Sequence, residues 1–351
     1  MAANIRPSID VVGVGVNAVD TLIQLPRFPA SDSKLEFSSS SLMPGGQVAS
    51  AMIACQKWGL KTRYVGKIGD DDHGELHRKE FAEAGVDARL IRTPGCSSQS
   101  SFILVDESSG ERTVLWKRDE RVALRPEDLK RDWIVGARAL LVDGHDTEAA
   151  ACAARWARES GIPVTADLDN IYPGVEVLLE NVDFMVSSKD FPERLTGEKE
   201  LLKSLPQVQR RFKTRIAAAT LGRDGVLAWD GSIFRYVPAY RVNAVDTTGA
   251  GDIFHAAFVC AQLAGWKLEE QLSFSCAAGA LNPATSSPKY PPKRACFPNP
   301  DASCNGQRFC RKQSQNSAPG REALSLASRP GQSRIFLPDR GFPIHPSACL
   351  R

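Results

Sequence analysis

The chain has 351 residues, of which 42% are apolar and 24% are charged, and its formal net charge is +3. A chain of this length and composition can bury a large core, so disorder throughout is excluded. No apolar stretch approaches the roughly 20 residues that span a bilayer, and the first residues lack the apolar region of a secretory signal. The nine Cys form no Cys-x-x-Cys pair, so neither a disulfide framework nor a zinc cluster is indicated. We therefore expect a cytoplasmic protein with no membrane partner.

The net charge hides two unlike regions. Residues 1–282 carry 33 Lys and Arg against 38 Asp and Glu, whereas residues 283–351 carry 11 against 3, together with 11 Pro. These last residues show no helical or strand periodicity, so they offer little to offset their ordering entropy. Their charges are scattered and form no basic helix, and no nucleic-acid partner is expected. We predict a folded domain over 1–282 followed by an atypical, disordered, Pro- and Ser-rich basic tail over 283–351.

Strand-like and helix-like patterns alternate along the folded region. Residues 20–43 are predicted as extended chain or edge strands, because Pro26 and Pro29 deny a helix adequate length. The remaining predicted strands cover 10–16, 62–66, a hairpin within 99–119, 139–143, 162–169, 182–187, 215–222 and a hairpin at 226–231. The predicted helices begin after Gly46 and at Gly251 and cover 74–84, 146–160 and about 190–204.

This alternation predicts an α/β fold. Strands that alternate with helices of this length indicate a central, mostly parallel sheet with helices on both faces. The early strands and the first hairpin interrupt the pattern, and they indicate a small β-lid with strands within about 12–43 and 97–120.

The strongest chemical motif is the segment Asp-Thr-Thr-Gly-Ala-Gly-Asp at 246–252, which is followed directly by an apolar helix. Small residues let a ligand approach the backbone, and a helix that begins near Gly251 directs its free amide groups toward an anion. A carboxylate there would repel a phosphate, so its presence needs a functional reason. Removal of a proton from an attacking hydroxyl is such a reason for Asp252. The structural alternative is that Asp252 only caps the helix.

This segment resembles the second signature of the ribokinase-like, or phosphofructokinase-B, carbohydrate kinase family. Other motifs resemble family motifs in the same order: Gly45-Gly46, the turn at 69–74, and Thr220-x-Gly222-x-x-Gly225. The resemblance covers about 8–282. It implies ATP-dependent phosphorylation of a hydroxyl on a sugar or sugar-like molecule, with ATP and Mg²⁺, and a homodimer that forms through the lid in some relatives.

The resemblance also implies roles for individual residues. Asp252 is the general base, and the anion hole is formed by Gly249, Ala250 and Gly251. The acceptor is bound by Asn17, Asp20, Gly45 and Gly46. The nucleotide is contacted by Thr220, Gly222, Gly225 and Ser188. A monovalent cation such as K⁺ is bound near Asp246 and Thr248. Two structural alternatives stay open: Asp20 could be a turn carboxylate, and Gly45 and Gly46 could serve only as a helix entry.

Three departures from the family pattern bear on activity. Ser50 replaces the usual Asn four residues after the second glycine of the first signature, so the acceptor contacts differ from those of ribokinase. The segment Ser188 to Phe191 replaces the usual Asn-x-x-Glu that organises Mg²⁺, with Asp190 as a substitute. The tail after residue 282 stands where relatives have a turn beside the adenine and a closing helix, and we hypothesise that it is a frameshifted or intron-derived end that replaces them.

Other motifs in the sequence raise alternative functions. A dinucleotide fingerprint at Gly13-x-Gly15-x-x-Ala18 lacks the helix that a dehydrogenase needs next. His73 and His77 have helical spacing but no Glu in the zinc-protease pattern, and we expect both to be solvated. The serious alternatives are a non-catalytic protein that keeps the fold for binding or regulation, and a nucleoside kinase, which would differ only in its acceptor pocket.

Overall fold

The computed structural model describes residues 8–242 and 247–281, together with the backbone of residues 335–336. Its strands are β1 (Ile9–Val14), β2 (Ala18–Leu25), β3 (Ser39–Gly45), β4 (Thr62–Gly69), β5 (Asp87–Thr93), β6 (Ser100–Asp106), β7 (Arg112–Lys117), β8 (Ala137–Asp143), β9 (Val164–Leu168), β10 (Phe184–Ser188), β11 (Ile216–Thr220), β12 (Val226–Trp229), β13 (Phe234–Val237) and β14 (Ile335–Phe336). Its helices are α1 (Gln47–Lys57), α2 (Asp72–Ala84), α3 (Arg131–Ile134), α4 (Thr147–Glu159), α5 (Val175–Leu179), α6 (Phe191–Thr196), α7 (Leu201–Phe212), α8 (Ala250–Leu263) and α9 (Leu268–Leu281).

Two sheets form within this described part of the chain. The large sheet has the strand order β14-β13-β12-β11-β10-β9-β8-β1-β4-β5. Strands from β11 through β5 in that order are parallel, whereas β12 pairs with both of its neighbours in the antiparallel sense. The small sheet has the order β3-β2-β6-β7. The predicted fold class, a mostly parallel sheet with helices on both faces and a second small sheet, is confirmed.

The core lies in layers on the two faces of the large sheet. In the central strand β8, Leu140 and Val142 join the cluster that contains α4, α5 and α7, whereas Ala139 and Leu141 join the cluster that contains α1 and α8. This division follows from the strand geometry, because successive side chains of a strand point to opposite faces. Both faces of β8 are covered, which explains its unbroken apolar sequence.

The structure differs from the sequence expectations in several places. The helix predicted over about 190–204 is two helices, because Gly197 ends α6 in a left-handed conformation with a φ of 76° and α7 continues to Phe212. Strand β5 and helix α9 were not predicted. His77 is fully buried and packs beside Phe81, so the prediction that it is solvated is wrong.

The predicted tail over 283–351 lies outside the described residues except at positions 335–336. There β14 pairs in parallel with β13 at the edge of the large sheet, with Ile335 opposite Phe234. The prediction of disorder over 283–351 stays a prediction.

Candidate active site

The candidate site lies along one edge of the large sheet, where the parallel strands end. The last residues of β8, β10 and β11 are Asp143, Ser188 and Thr220. In open α/β sheets, ligands bind beside this carboxyl edge, because the loops that leave the strands all begin there. The sequence motifs fall on these loops and on the helices that follow them.

The loop before α8 forms the centre of the site. Gly249 precedes the helix with φ 75° and ψ 1°, a left-handed conformation that favours glycine, and it makes no side-chain cap hydrogen bond. The amide of Ala250 donates to the carbonyl of Thr247 at 3.3 Å. A Cβ built on Gly251 would meet no atom within 4 Å, so open space lies directly beside this backbone. Helix-start amides that lie next to open space fit a bound phosphate.

Asp252 occupies the first turn of α8 and is partly buried. Its charge acts on Asp167 of β9, whose pKa is raised well above its usual value by burial first and by the charge of Asp252 second. Asp252 therefore lies near Asp167, in the same helical turn as Gly251. A carboxylate beside a set of amide donors can accept a proton from a hydroxyl that attacks a bound phosphate.

The predicted acceptor residues come together where β1, β3 and α1 meet. Gly46 has a φ of 100°, and a Cβ on it would lie 2.5 Å from the carbonyl oxygen of Val16 and 2.6 Å from the Cα of Asn17. Gly45 is opposite Ala18 in the β2–β3 ladder. Glycine at 46 thus does more than open the helix, because only a residue without Cβ lets the α1 entry pack against the loop that carries Asn17.

Asn17 is fixed in orientation because its side-chain amide nitrogen donates to two acceptors. Its Nδ2 donates to the Tyr64 hydroxyl at 2.9 Å and to the Lys67 carbonyl at 3.0 Å, and the Tyr64 hydroxyl donates to the Gly15 carbonyl at 2.7 Å. The Oδ1 of Asn17 is buried and has no hydrogen-bond partner among the described residues. An acceptor atom left in this way suits a ligand hydroxyl or a bound water.

Asp20 connects the site to the small sheet. Its Oδ1 accepts a hydrogen bond from the Ser101 hydroxyl at 2.6 Å, and the two residues are opposite each other in the β2–β6 ladder. Another residue of the small sheet, Arg112, reaches the large domain: its Nη1 donates to the Thr247 hydroxyl at 2.8 Å. The small sheet therefore contacts the loop before α8 and occupies the position of a lid over the site.

The predicted nucleotide residues lie at the far side of α8. Ser188 and Thr220 are register partners at the ends of β10 and β11, and the Thr220 hydroxyl donates to the Ser187 carbonyl at 3.1 Å. Gly222 has a φ of 60° and open space where a Cβ would be, whereas a Cβ on Gly225 would collide with the backbone at Val237. The loop from Gly222 to Gly225 therefore has space for a ligand beside Gly222 and is closely packed against backbone at Gly225.

Helix α8 lies between these two groups of residues. Ile253 and Ala256 pack in the cluster with α1 and β8, while Phe254 and Phe258 pack in the cluster with β10 and β12. Four strand-to-strand steps separate β11 from β1, a distance of about 19 Å at ~4.8 Å per step. The amides of the first turn of α8 are therefore placed between the predicted acceptor residues and the predicted nucleotide residues.

Two features of the site were not found from the sequence. Asp143 is fully buried, and its carboxylate accepts hydrogen bonds from the Val16 amide at 2.7 Å and the His145 amide at 3.1 Å. Burial raises the pKa of Asp143. The second feature is a contact of 3.1 Å between the His255 Nδ1 and the Asp167 carboxylate beneath the first turn of α8. Both features join segments that are distant in the sequence. The one sequence signal for them was that each Asp lies in a segment predicted to be a buried strand.

The cation prediction is only partly placed. Asp246 lies outside the described residues, and Thr248 directly precedes Gly249. In the described residues no three His, Cys, Asp or Glu side chains are grouped so that they could hold a metal ion. A search of the same residues finds no helix long and apolar enough to span a membrane.

Comparison with solved structures identifies the fold. A solved structure of a putative ribokinase from Agrobacterium tumefaciens matches with a TM-score of 0.74 and 28% identity, covering 80% of this chain and 93% of that one. A putative ribokinase II from E. coli in complex with ATP and Mg²⁺ matches with a TM-score of 0.69 and 20% identity, covering 80% and 94%. The protein thus has a ribokinase-like fold.

Sequence comparison identifies the family. Residues 14–293 match the model described as pfkB family carbohydrate kinase. An ATP-dependent ribose-1-phosphate kinase from Halopiger xanaduensis is 28% identical over 277 residues, which are 78% of this chain and 91% of that protein. The chain belongs to the pfkB family of carbohydrate kinases.

Proposed function

We propose that this protein transfers a phosphoryl group from ATP to a hydroxyl of a sugar or sugar-like molecule, with Asp252 as the general base and Gly249, Ala250 and Gly251 as the anion hole. One observation carries the proposal: the left-handed Gly249 starts α8 so that first-turn amides, open space and a carboxylate meet between the acceptor and nucleotide sides. Asp252 takes the proton of the attacking hydroxyl, and the amides stabilise the charge that develops on the transferring phosphate.

The other residues position the two substrates. Asn17 and Asp20 present oxygen acceptors to hydroxyl groups, and the backbone at Gly45 and Gly46 forms the wall of the acceptor site. Ser188, Thr220, Gly222 and Gly225 lie where the nucleotide extends along the sheet edge. When bound, ATP supplies the phosphoryl group and Mg²⁺ offsets its negative charge. A monovalent cation such as K⁺ would be held near Thr248 and Asp246. We also propose that the protein acts in the cytoplasm, a compartment in which ATP is available.

The test is an ADP-release assay with Mg·ATP on the wild type and on Asp252→Asn, over a panel of pentoses, hexoses, ribose 1-phosphate and nucleosides. Loss of a general base lowers kcat by about 10²- to 10⁴-fold, and we expect a loss in that range. Asp72→Asn is the matched control, since Asp72 is an exposed acidic residue in the first turn of α2. Full turnover by Asp252→Asn would remove the base assignment. Silence of the folded wild type on every acceptor would favour a binding or regulatory protein.

A nucleoside acceptor is the second candidate, and Trp116 favours it. Ser101 is opposite Asp20 on one side and opposite Trp116 on the other, so all three side chains share one face of the lid. The Trp116 side chain is 58% exposed. An exposed indole beside a hydroxyl-binding carboxylate could stack on a base. If nucleosides are the acceptors, Trp116→Ala should raise their KM and leave the KM for ATP unchanged.

We also propose a homodimer that forms through the outer face of the lid. Leu42, Phe102 and Leu115 occupy one row across the small sheet and are 55%, 51% and 54% exposed. Such an apolar row is typical of a protein interface. Light scattering should show a dimer that Phe102→Glu converts to a monomer. Val177→Glu, at a residue of α5 that is 55% exposed, is the control that should remain dimeric. A monomeric wild type would contradict the proposal.

A further inference from the structure

His255 bridges three segments beneath the anion hole. It follows Asp252 by three residues in α8, and its side chain is almost fully buried. Its Nδ1 lies 2.8 Å from the Gly251 carbonyl oxygen and 3.1 Å from the Asp167 carboxylate, and its Nε2 lies 3.2 Å from the Val186 carbonyl oxygen. One imidazole therefore joins the first turn of α8 to β9 and β10.

The neighbours of this ring determine how many protons it shares. All three are oxygen atoms, whereas a neutral imidazole has one N–H group and one lone pair. If Nε2 donates to Val186, Nδ1 must either carry a second proton or accept one from the carboxyl of Asp167. Both arrangements leave the His255 and Asp167 side chains with the same total number of protons. In either form the pair has no net charge.

Several negative groups surround the pair. Asp252 of α8, Asp169 after β9 and Asp143 of β8 all raise the pKa of Asp167, after burial, which is the largest cause. Burial lowers the pKa of His255. A further negative charge on Asp167 would act on the nearby Asp252 and would oppose an anion at the neighbouring first-turn amides. The site is thus sensitive to the proton that the pair holds.

We propose that His255 and Asp167 are positioning residues that share one proton, hold the first turn of α8 in place and keep negative charge away from the anion hole. The inference rests on the proposed function, in which Asp252 is the base and the turn binds phosphate. His255 supplies the second site for the proton, so that Asp167 does not become a lone buried anion at the working pH. The competing view is that the pair only stabilises the fold, as a buried and satisfied histidine does.

The pH dependence of kcat/KM distinguishes these two roles. In His255→Gln, Asp167 loses its partner and ionises at lower pH, so the alkaline decline in kcat/KM should move to lower pH. A shift of one pH unit appears as an activity about tenfold below that of the wild type on the alkaline side. In the double variant with Asp167→Asn, neither position of the pair can ionise, and activity at high pH should return toward the wild-type value. A structural role predicts equal loss at every pH and no rescue.

Two further measurements keep the test decisive. Asp167→Asn alone is nearly isosteric and can donate to the Nδ1 of His255, so it should fold and should show no earlier alkaline decline. If His255→Gln does not melt cooperatively, His255→Asn replaces it in the same comparison. A pH profile of His255→Gln parallel to that of the wild type, or a double variant no better than His255→Gln, overturns the proposal. Asp252→Asn is assayed alongside: if it is inactive and the profiles are parallel, only the pair assignment fails, whereas an active Asp252→Asn removes the proposed function itself.

Discussion

Gly46→Ala should damage both stability and acceptor binding. The φ of 100° at Gly46 belongs to a region that residues with a Cβ rarely adopt, and such strain costs about 1–3 kcal/mol. The added Cβ would also lie 2.5 Å from the Val16 carbonyl oxygen, which is backbone and cannot rotate away. Overpacking of this kind costs a further ~1–3 kcal/mol, and part of it would be relieved by moving the loop that carries Asn17.

Gly59→Ala is the matched control for that variant. Gly59 lies just after the other end of α1 with a φ of 96°, and a Cβ there would meet no atom within 4 Å. The two variants therefore share the backbone strain, and they differ in the collision with Val16 and Asn17. The difference between their unfolding free energies, measured by urea denaturation, isolates the collision at ~1–3 kcal/mol.

Kinetics of the same two variants tests the acceptor wall. A displacement of about 1 Å can cost roughly 10²-fold in rate, so Gly46→Ala should lower kcat/KM for the acceptor by about 10- to 100-fold and leave the KM for ATP unchanged. Gly59→Ala should have wild-type kinetics. If the two variants were equally stable and equally active, Gly46 would not be a wall of the acceptor site.

Three further predictions concern the lid, the loop under the site and pH. Arg112→Met removes the 2.8 Å hydrogen bond to Thr247, so we expect lid closure to weaken and the KM for the acceptor to rise. A lost hydrogen bond worth ~1 kcal/mol corresponds to a rise of about fivefold. Steady-state kinetics should show no such rise for Lys117→Met, on the same strand. Tyr64→Phe removes the hydroxyl that forms hydrogen bonds with Gly15 and Asn17. Because two buried groups lose their partner, the free energy of unfolding measured by urea denaturation should fall by about 1–3 kcal/mol. An unchanged midpoint of urea denaturation would contradict this. Burial raises the pKa of Asp167 from 3.8 and lowers that of His255 from 6.5, so the folded pair holds one proton, while the unfolded chain holds one on His255 only up to about pH 6.5. The free energy of unfolding should therefore decline as pH rises above about 6.5, where the folded pair keeps a proton that the unfolded chain has lost. Asp167→Asn should flatten that decline, and an identical pH profile of stability in both proteins would refute the assignment.

The local backbone geometry of the candidate site could be predicted from the sequence because it depends on a few consecutive residues. Gly249 and Gly222 take left-handed φ values of 75° and 60°, which favour residues without a Cβ. Asp252 follows in the same short segment, so its position relative to the amides is fixed by the helix that begins there. Such local requirements can be recognised in a few consecutive letters.

Other parts of the molecule depended on partners far away in the chain. His77 is buried, although it was expected at the surface. The prediction failed because the sequence pattern of α2 does not show which residues pack against the helix. Gly197 divides a predicted helix, although a single glycine inside a helical pattern is often tolerated. Hydrogen bonds such as those of Asp143 to Val16 and of Arg112 to Thr247 join residues more than a hundred positions apart.

The sequence by itself determined the parallel α/β fold, the small second sheet and the segment Gly249 to Asp252, because alternating periodicity and glycine requirements are local properties. Only the tertiary structure decided that His255 meets Asp167, that Tyr64 fixes Asn17 and that the lid reaches Thr247. These contacts arise when strands distant in sequence become neighbours in the sheet. Their energies depend on burial and on nearby charges, which no short segment of the chain contains.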